Sequence, residues 1–173
     1  MAPRGFALFK TAIGMCGIAW SDAGIVSVQL PERDDNDTRT RLSRRCGGAR
    51  EADPPTDVQR AIDAIVSLLN GEPSDLSFIT LDMEGVPDFH RRVYEVARTI
   101  PPGATRSYGD IATSLGDPGS ARAVGQALGR NPFVIVVPCH RVLAAGGKTG
   151  GFSAAGGAAT KLTLLAIERA QLF

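Results

Sequence analysis

The chain has 173 residues, of which 43% are hydrophobic and 21% charged, as in ordinary globular proteins of one domain or two small ones. No apolar run approaches the ~20 residues that cross a bilayer, and the N-terminus MAPRGFALFK lacks the apolar core of a secretory signal, so we expect a soluble, cytoplasmic protein. The three cysteines lie far apart and outside any CxxC or Cys/His ligand spacing, which argues against a disulfide framework and against structural zinc.

Charge divides the chain into two halves. Residues 1–85 carry 9 Lys and Arg against 13 Asp and Glu, whereas residues 86–173 carry 10 against 5. A basic half on a chain of net charge +1 indicates that this half meets a polyanion. The alternative is chance variation of surface charge.

The first half predicts a small α/β domain over residues 1–85. Strands are expected between residues 6 and 31, because apolar residues recur at every second position of IVSVQL and the preceding SDAG is typical of a hairpin turn. The polar residues 32–55 predict a loop or a short exposed helix. Helical spacing follows over residues 56–70, and LSFITL at 76–81 predicts a further strand.

The second half predicts a mainly helical domain over residues 86–173, which makes the whole chain α+β. An apolar stripe from Phe89 to Ile100 predicts one helix, and SYGD, a capping box that begins at Ser107, predicts a second. A third helix is expected over residues 120–129. Its tight GDPG link to the second helix is typical of a helix-turn-helix.

The remainder of this half predicts a buried strand, a loop and a last helix. FVIVV is the strand, residues 144–160 are a loop rich in glycine and alanine, and residues 160–171 form the helix. Cys139 and His140 follow the strand directly, and Pro138 should end it because proline cannot donate to a central ladder.

Cys139 is a candidate nucleophile. A thiol with an ordinary pKa of about 8.5 needs a base to become a thiolate at neutral pH, and His140 could be that base. Adjacent side chains on a strand point to opposite faces, so a bridging water would have to join them. The alternative is a cysteine that serves as a small buried hydrophobic residue.

Glu168 lies on an apolar stripe of the last predicted helix, which also carries Lys161, Leu164, Leu165 and Leu172. A carboxylate on such a stripe is costly without a partner, and the imidazole of His140, oriented by the acid, would provide one. The alternative is a helix-end glutamate whose carboxylate reaches solvent, and the spacing does not decide between the two.

The third helix, SARAVGQALGRN, has two predicted faces. Ala121, Val124 and Leu128 should pack inward. The opposite face carries Arg122, Gly125, Gln126 and Gly129. Because glycine costs ~1 kcal/mol in a helix interior, these glycines indicate either close approach of a nucleic-acid backbone, with Arg122 as its probe, or packing against another helix.

Two other residues have simpler interpretations. Tyr108 shares the apolar stripe of the second helix, where core packing is the default role. His90 lies on the polar side of its helix and is expected to be inert.

Four segments together resemble a known family: NPFVIVVPCHRVL, SYGDIA, SARAVGQAL, and GGFSA with the lysine, leucine pair and glutamate that follow it. They are similar to the O6-alkylguanine-DNA alkyltransferases, also called methylated-DNA–protein-cysteine methyltransferases. The likeness is dense over residues 86–170, and the first half matches in size and element order only. It implies a ribonuclease-H-like first domain and DNA repair by direct reversal, in which an alkyl group passes once from guanine O6 to cysteine and inactivates the protein.

The resemblance also implies partners: double-stranded DNA bound through the minor groove by a monomer, with no membrane, cofactor or metal. Transfer from thymine O4 and the range of alkyl groups stay open. Phe152 stands where many members have tyrosine, and the loop GFSAAGGAATK is longer than their GYSGG-like loop, so lesion preference stays open as well.

Roles follow by resemblance at the matching positions. Cys139 would accept the alkyl group, with His140 as water-assisted base and Glu168 as the acid that orients it. Asn131 would brace the segment between the recognition helix and the active-site strand, Tyr108 would help to rotate the nucleotide and release guanine, and Arg122 would fill the gap in the base stack. The remaining pocket residues would be Val142, through its carbonyl, Phe152 and Ser153. The remaining DNA-binding residues would be Ser120, Ala121, Gly125 and Gln126.

Three other classes of protein fit these residues less well. A lesion-binding protein without transfer would have no need of Cys139, and a transcriptional helix-turn-helix module would have no use for Cys-His-Arg. A cysteine hydrolase would turn over repeatedly, whereas the family acts once per chain.

Overall fold

The structure, a computed structural model, describes residues 2–152 and 156–170 of a mixed α/β chain. Two compact units form: one contains residues 2–84 together with Pro132–Val136, and the other contains the rest of the described residues from Gly85 onward. The sequence placed the boundary between residues 85 and 86, one residue later than the structure does, and did not indicate that Pro132–Val136 belongs to the first unit. No helix in the described ranges is long and apolar enough to cross a bilayer.

The first unit is built on an antiparallel sheet of three strands in the order β1-β2-β3. The strands are β1 (Gly5–Thr11), β2 (Gly14–Ser21) and β3 (Gly24–Gln29). The expected hairpin is present, because Ser21 pairs with Gly24 across the turn. Gly24 has φ +147°, and a Cβ there would lie 2.6 Å from the Thr80 carbonyl oxygen, so the turn requires glycine.

Two helices pack on this sheet: α1 (Asp35–Arg45) and α2 (Thr56–Leu69). The Asp34 side chain caps α1 by accepting from the Asp37 amide at 2.8 Å. Leu42 of α1 and Ile65 of α2 are fully buried. The helix predicted over residues 56–70 is confirmed.

The strand predicted at LSFITL is absent, and this prediction was wrong. The segment is irregular, with one turn at residues 77–78 and one isolated bridge from Leu81 to Ile25. The Asp75 carboxylate accepts from the Ser77 amide and hydroxyl, at 2.9 and 3.0 Å, which bends the chain at its start. Leu76 and Ile79 are buried three residues apart, so the apolar residues do not alternate as a strand requires.

The strand predicted at FVIVV was also wrong, although the prediction of burial was right. Phe133 forms one isolated parallel bridge with Val28, and a turn follows in which Ile135 takes φ +75°. A β-branched residue with positive φ is an outlier that only dense packing maintains. Burial on every side removed the alternation that could have revealed the turn.

The second unit contains four helices and a pair of short parallel strands in its described part. The helices are α3 (Asp88–Ala97), α4 (Tyr108–Ser114), α5 (Ala121–Gly129) and α6 (Gly157–Ile167). The strands are β4 (Arg106–Ser107) and β5 (Val142–Leu143). Short 3-10 turns occur at Pro118–Ser120, Cys139–Arg141 and Ala145–Gly147.

The start of α4 is held beside the segment that follows Cys139. The predicted capping box is confirmed: the Asp110 amide donates to Ser107 Oγ and the Ser107 amide to the Asp110 carboxylate, both at 2.9 Å. Ser107 also pairs with Leu143 between β4 and β5. Tyr108, the first residue of α4, is thereby fixed near the cysteine turn.

The last helix differs from its prediction at both ends. It begins at Gly157 rather than at residue 160, and Glu168 forms its C-cap. The predicted end at residue 171 and the stripe residue Leu172 lie outside the described residues.

Candidate active site

Cys139, His140 and Arg141 form one 3-10 turn, and all three side chains are buried. The Cys139 amide donates to the Val137 carbonyl at 2.8 Å, and Asn131 Nδ2 donates to the same oxygen at 2.9 Å. Asn131 therefore holds the chain just before the cysteine. Because the residues form a turn and not a strand end, the expected opposition of adjacent side chains does not apply.

The Cys139 thiol is held between opposing influences. Burial raises its pKa by disfavouring the thiolate. The Asn131 side chain, the Lys161 ammonium and the backbone amides of the turn act in the opposite direction. The site thus contains donors and a cation ready to stabilise a thiolate that burial alone would suppress.

His140 and Glu168 are in contact, which decides between the two roles considered for that carboxylate. His140 Nε2 lies 2.9 Å from Glu168 Oε2, and both side chains are almost fully buried. Burial lowers the pKa of His140, while Glu168 raises it. His140 Nδ1 is buried and has no hydrogen-bond partner in the described part of the chain.

Arg141 completes this cluster, and it was missed in the sequence. Its Nε donates to Glu168 Oε1 at 2.8 Å and its Nη2 to Oε2 at 2.7 Å. Burial of Glu168 would raise the pKa of its carboxyl, but the hydrogen bonds from Arg141 and His140 outweigh burial and lower the pKa to about 2. Glu168 is therefore ionised at neutral pH.

Lys161 is the second functional residue that was missed. It is fully buried on α6, and its Nζ donates to the carbonyls of Val142 at 2.7 Å and Gly151 at 3.3 Å. The ammonium lies 5.8 Å from the centre of the Tyr108 ring. Burial lowers its pKa to about 8, and the nearby Cys139 partly offsets that effect.

A cavity of about 550 Å³ opens onto Cys139. Its walls include Tyr108, Gly151, Phe152 and the α5 residues Ala121, Arg122, Gly125, Gln126, Leu128 and Gly129. This volume is typical of a small-molecule site and large enough for a nucleobase. Tyr108, for which core packing was the default, is half-buried and lines the cavity, and burial raises its pKa.

The surroundings of the two α5 glycines bear on whether they allow approach of a nucleic-acid backbone or packing against another helix. A Cβ at Gly129 would meet nothing within 4 Å among the described residues, and one at Gly125 would meet only the Tyr108 ring, at 3.9 Å. Packing against another helix of the described chain is therefore excluded for Gly129, whereas Gly125 faces Tyr108 at the start of α4. Arg122 and Gln126 are exposed on the same helix.

The burial predicted for the inward face of this helix is correct for two residues and wrong for one. Val124 and Leu128 pack inward as expected, but Ala121 is only half-buried and lines the cavity, because it lies in the first turn of α5, beside the cavity mouth. Ser120 precedes α5 and donates through its hydroxyl to the Asp117 carbonyl at 2.7 Å. Ser153 lies outside the described residues.

Two more observations concern residues outside the cluster. His90 makes an edge-to-face contact with Tyr94, with ring centres 6.2 Å apart, and its inertness stays a prediction. Tyr94, which no sequence pattern indicates as functional, is buried and donates to the Ala127 carbonyl at 2.7 Å, so it ties α3 to α5. Among residues 2–152 and 156–170, no group of three or more His, Cys, Asp or Glu side chains could hold a metal ion.

The fold and the site define a protein with one cysteine nucleophile that opens onto a base-sized cavity beside an exposed, glycine-bearing helix. Comparison with known proteins narrows that class. Residues 88–170 match the family model of the 6-O-methylguanine DNA methyltransferase DNA-binding domain. A methylated-DNA–protein-cysteine methyltransferase of Mycolicibacterium paratuberculosis is 40% identical over 157 residues, which cover 91% of this chain and 87% of that protein. The chain belongs to the methylated-DNA–protein-cysteine methyltransferase family.

Solved structures extend the likeness to both halves of the chain. The O6-methylguanine methyltransferase of Mycobacterium tuberculosis is 35% identical with a TM-score of 0.74, and the match covers 95% of this chain and 92% of that one. The M. tuberculosis OGT in complex with DNA is 33% identical with a TM-score of 0.73 and the same coverage. The first half, which matched the family only in size and element order, is therefore included in the structural match.

Proposed function

We propose that the protein repairs O6-alkylguanine in double-stranded DNA by transferring the alkyl group to Cys139, once per molecule. The observation that carries this proposal is the position of Cys139: the residue is only 7% exposed, yet it lines a cavity whose walls include residues of α5. A relative of similar structure is known in complex with DNA, which supports DNA as the partner.

The chemistry is a single displacement at carbon. The Cys139 thiol gives its proton to His140 Nδ1 through a water molecule, while His140 Nε2–H donates to Glu168 Oε2. The sulfur then bonds to the alkyl carbon as the carbon–O6 bond breaks, and the guanine leaves with its electron pair. The proton held by His140 then passes to a guanine ring nitrogen, with assistance from Tyr108. The transfer as a whole involves no oxidation or reduction.

The product explains why one event ends the activity. A thioether at Cys139 carries no leaving group that water or His140 could displace. The protein is consumed in proportion to the lesions repaired, which distinguishes it from a cysteine hydrolase. The chemistry uses no cofactor.

Recognition is assigned to the second unit. We propose that α4, the turn Pro118–Ser120 and α5 act as a helix-turn-helix with α5 in the minor groove, where the bare backbone at Gly125 and Gly129 permits close approach. A base inside a duplex is out of reach, so the damaged nucleotide has to rotate into the cavity, and the exposed Arg122 would fill the gap it leaves.

Three further expectations complete the proposal. The first unit would have the ribonuclease-H-like topology that the resemblance implies, and its three antiparallel strands followed by helices agree with this. We also expect the protein to act as a monomer in the cytoplasm. Phe152, which lines the cavity, offers no hydroxyl to the lesion.

Intact-mass spectrometry after mixing with a duplex that contains one O6-methylguanine tests the transfer. We expect an increment of one methyl group, located on Cys139 by peptide mapping. Cys139→Ala should show no increment yet retain DNA binding, because the cavity and α5 remain. Cys16→Ala and Cys46→Ala are the matched controls, and methyl transfer that survives in Cys139→Ala would refute the proposal.

A further inference from the structure

Arg141 uses its guanidinium more completely than a surface arginine would. Two of its nitrogens bind the two oxygens of Glu168, and Nη1 donates to the Ile100 carbonyl at 2.6 Å. His140 Nε2 therefore shares Glu168 Oε2 with Arg141 Nη2. The imidazole is paired with a carboxylate whose charge is already largely balanced.

The sharing matters because an imidazole paired with an uncompensated buried carboxylate tends to become imidazolium. The ordinary pKa values of histidine and glutamic acid are about 6.5 and 4.3, so a proton taken up by such a pair settles on histidine. An imidazolium has no free lone pair at Nδ1 and could not accept the thiol proton. A strongly paired carboxylate would thus orient His140 but disable it as a base.

We propose that Arg141 is a positioning residue that holds Glu168 as a shared carboxylate, so that His140 is oriented by the acid yet stays neutral and able to accept the Cys139 proton. This inference rests on the proposed transfer to Cys139. The guanidinium and the carboxylate together carry no net charge, and the imidazole adds none.

Other charges that act on His140 point in the same direction. Lys161, on α6, is a second cation that disfavours the imidazolium, and burial does so more strongly. Glu168 is the acid that favours it, and Cys139 is the neighbouring group whose proton is to be moved. Glu168 therefore raises the pKa of His140, and Arg141 limits that effect by binding the same carboxylate.

Nitrogen-15 NMR of the imidazoles tests this directly, because the chain has only two histidines and His90→Asn assigns the second signal. The wild-type protein should show a neutral His140 at pH 7, with hydrogen on Nε2. Arg141→Gln should convert it to imidazolium at the same pH. Arg169→Gln removes an exposed arginine next to Glu168 and is the matched control, expected to leave His140 neutral.

The rate of alkyl transfer should follow the protonation state. In Arg141→Gln the pH–rate profile should shift to higher pH, with transfer at pH 7 slower by about tenfold for each unit that the His140 pKa exceeds the assay pH. Raising the pH should recover most of the rate. Arg141→Lys, which keeps a cation, should restore part of it at pH 7.

Folding is controlled by a second variant. Loss of one partner from a buried ion pair is strongly destabilising, but Arg141→Gln with Glu168→Gln leaves no unpaired charge and should fold. In that double variant His140 should be neutral again, as a coupled pair requires. An imidazolium there, or in the wild-type protein at pH 7, overturns the proposal, as does a neutral imidazole in folded Arg141→Gln.

These results separate the inference from the function on which it rests. The His140 titration needs no substrate and is decided even where transfer fails. A missing methyl increment in the wild-type protein would refute the function alone. If Arg141→Gln does not fold, an imidazolium in the wild-type protein refutes the role of Arg141, and a neutral imidazole together with recovery in the double variant supports it.

Discussion

Gly150 is the position where one added methyl group should displace Tyr108. Its φ is +69°, and a Cβ there would lie 2.7 Å from Tyr108 Oη, 3.1 Å from Cε2 and 3.3 Å from Cζ. Gly146 provides a matched control, since its φ is +75° and a Cβ would meet nothing within 4 Å among the described residues. The two alanine variants therefore share a backbone penalty and differ in the clash.

The size of the effect follows from these distances. Each alanine in the left-handed region costs roughly 1–2 kcal/mol of folding free energy. Gly150→Ala must in addition move the Tyr108 hydroxyl or the loop by about 0.7 Å to reach an ordinary contact of 3.4 Å. Because Tyr108, Gly151 and Phe152 all line the cavity, either movement misplaces the nucleotide, and displacements near 1 Å can cost about 100-fold in rate.

We expect Gly150→Ala to transfer the methyl group between about 10-fold and 100-fold more slowly than Gly146→Ala. The assay is a single-turnover time course on duplex DNA that contains O6-methylguanine, with thermal unfolding of each variant measured in parallel. Equal transfer rates in the two variants would refute the placement of the Tyr108 ring against this loop and its part in the reaction.

Arg122→Ala should slow repair of duplex DNA far more than reaction with free O6-benzylguanine, because a free base needs no partner in the stack; Arg130→Ala, at the other end of α5, controls for loss of charge. Equal losses of Arg122→Ala on the two substrates would instead assign that arginine to the fold. The pKa of Glu168, about 2, lies below the ordinary value of about 4.3, so its stabilisation is complete above the ordinary value and is lost as pH falls towards 2. In calorimetry, the Tm advantage of the wild-type protein over Glu168→Gln should therefore hold down to about pH 4.5 and then shrink, and an advantage that is unchanged near pH 2 would show that the carboxyl is not held ionised.

The sequence predicted the elements that bury one face and expose the other. The hairpin between β2 and β3, the long helix α2 and the capping box of α4 all follow from alternation, helical spacing or side-chain capping. FVIVV failed because it is covered on all sides, where β-branched composition says nothing about a turn at Ile135. LSFITL failed because the hydrogen bonds of Asp75 bend the chain locally, which a propensity for strands does not register.

The chemical residues show the same limit. Cys139, His140 and Glu168 could be identified from the sequence because a nucleophile, a base and a carboxylate on an apolar stripe are unusual. Arg141 and Lys161 were missed, since cationic residues are nearly always exposed. Lys161 did carry a signal: it shares the apolar stripe with Glu168, and the argument that such a charge requires a partner applies equally to its ammonium.

Because Pro132–Val136 belongs to the first unit, the gene cannot be divided simply between its two halves. The Val28 amide donates to the Pro132 carbonyl at 2.9 Å, so the segment between Asn131 and Val137 completes the first unit. A fragment that starts at residue 86 would be translated without the strand that Phe133 needs. Chimeras that exchange first halves between relatives would have to preserve the outer edge of β3, where Val28 contacts this segment, as well as the fold of the first half. The reason is that the segment leading to Cys139 belongs to the first unit although it lies in the second half of the sequence.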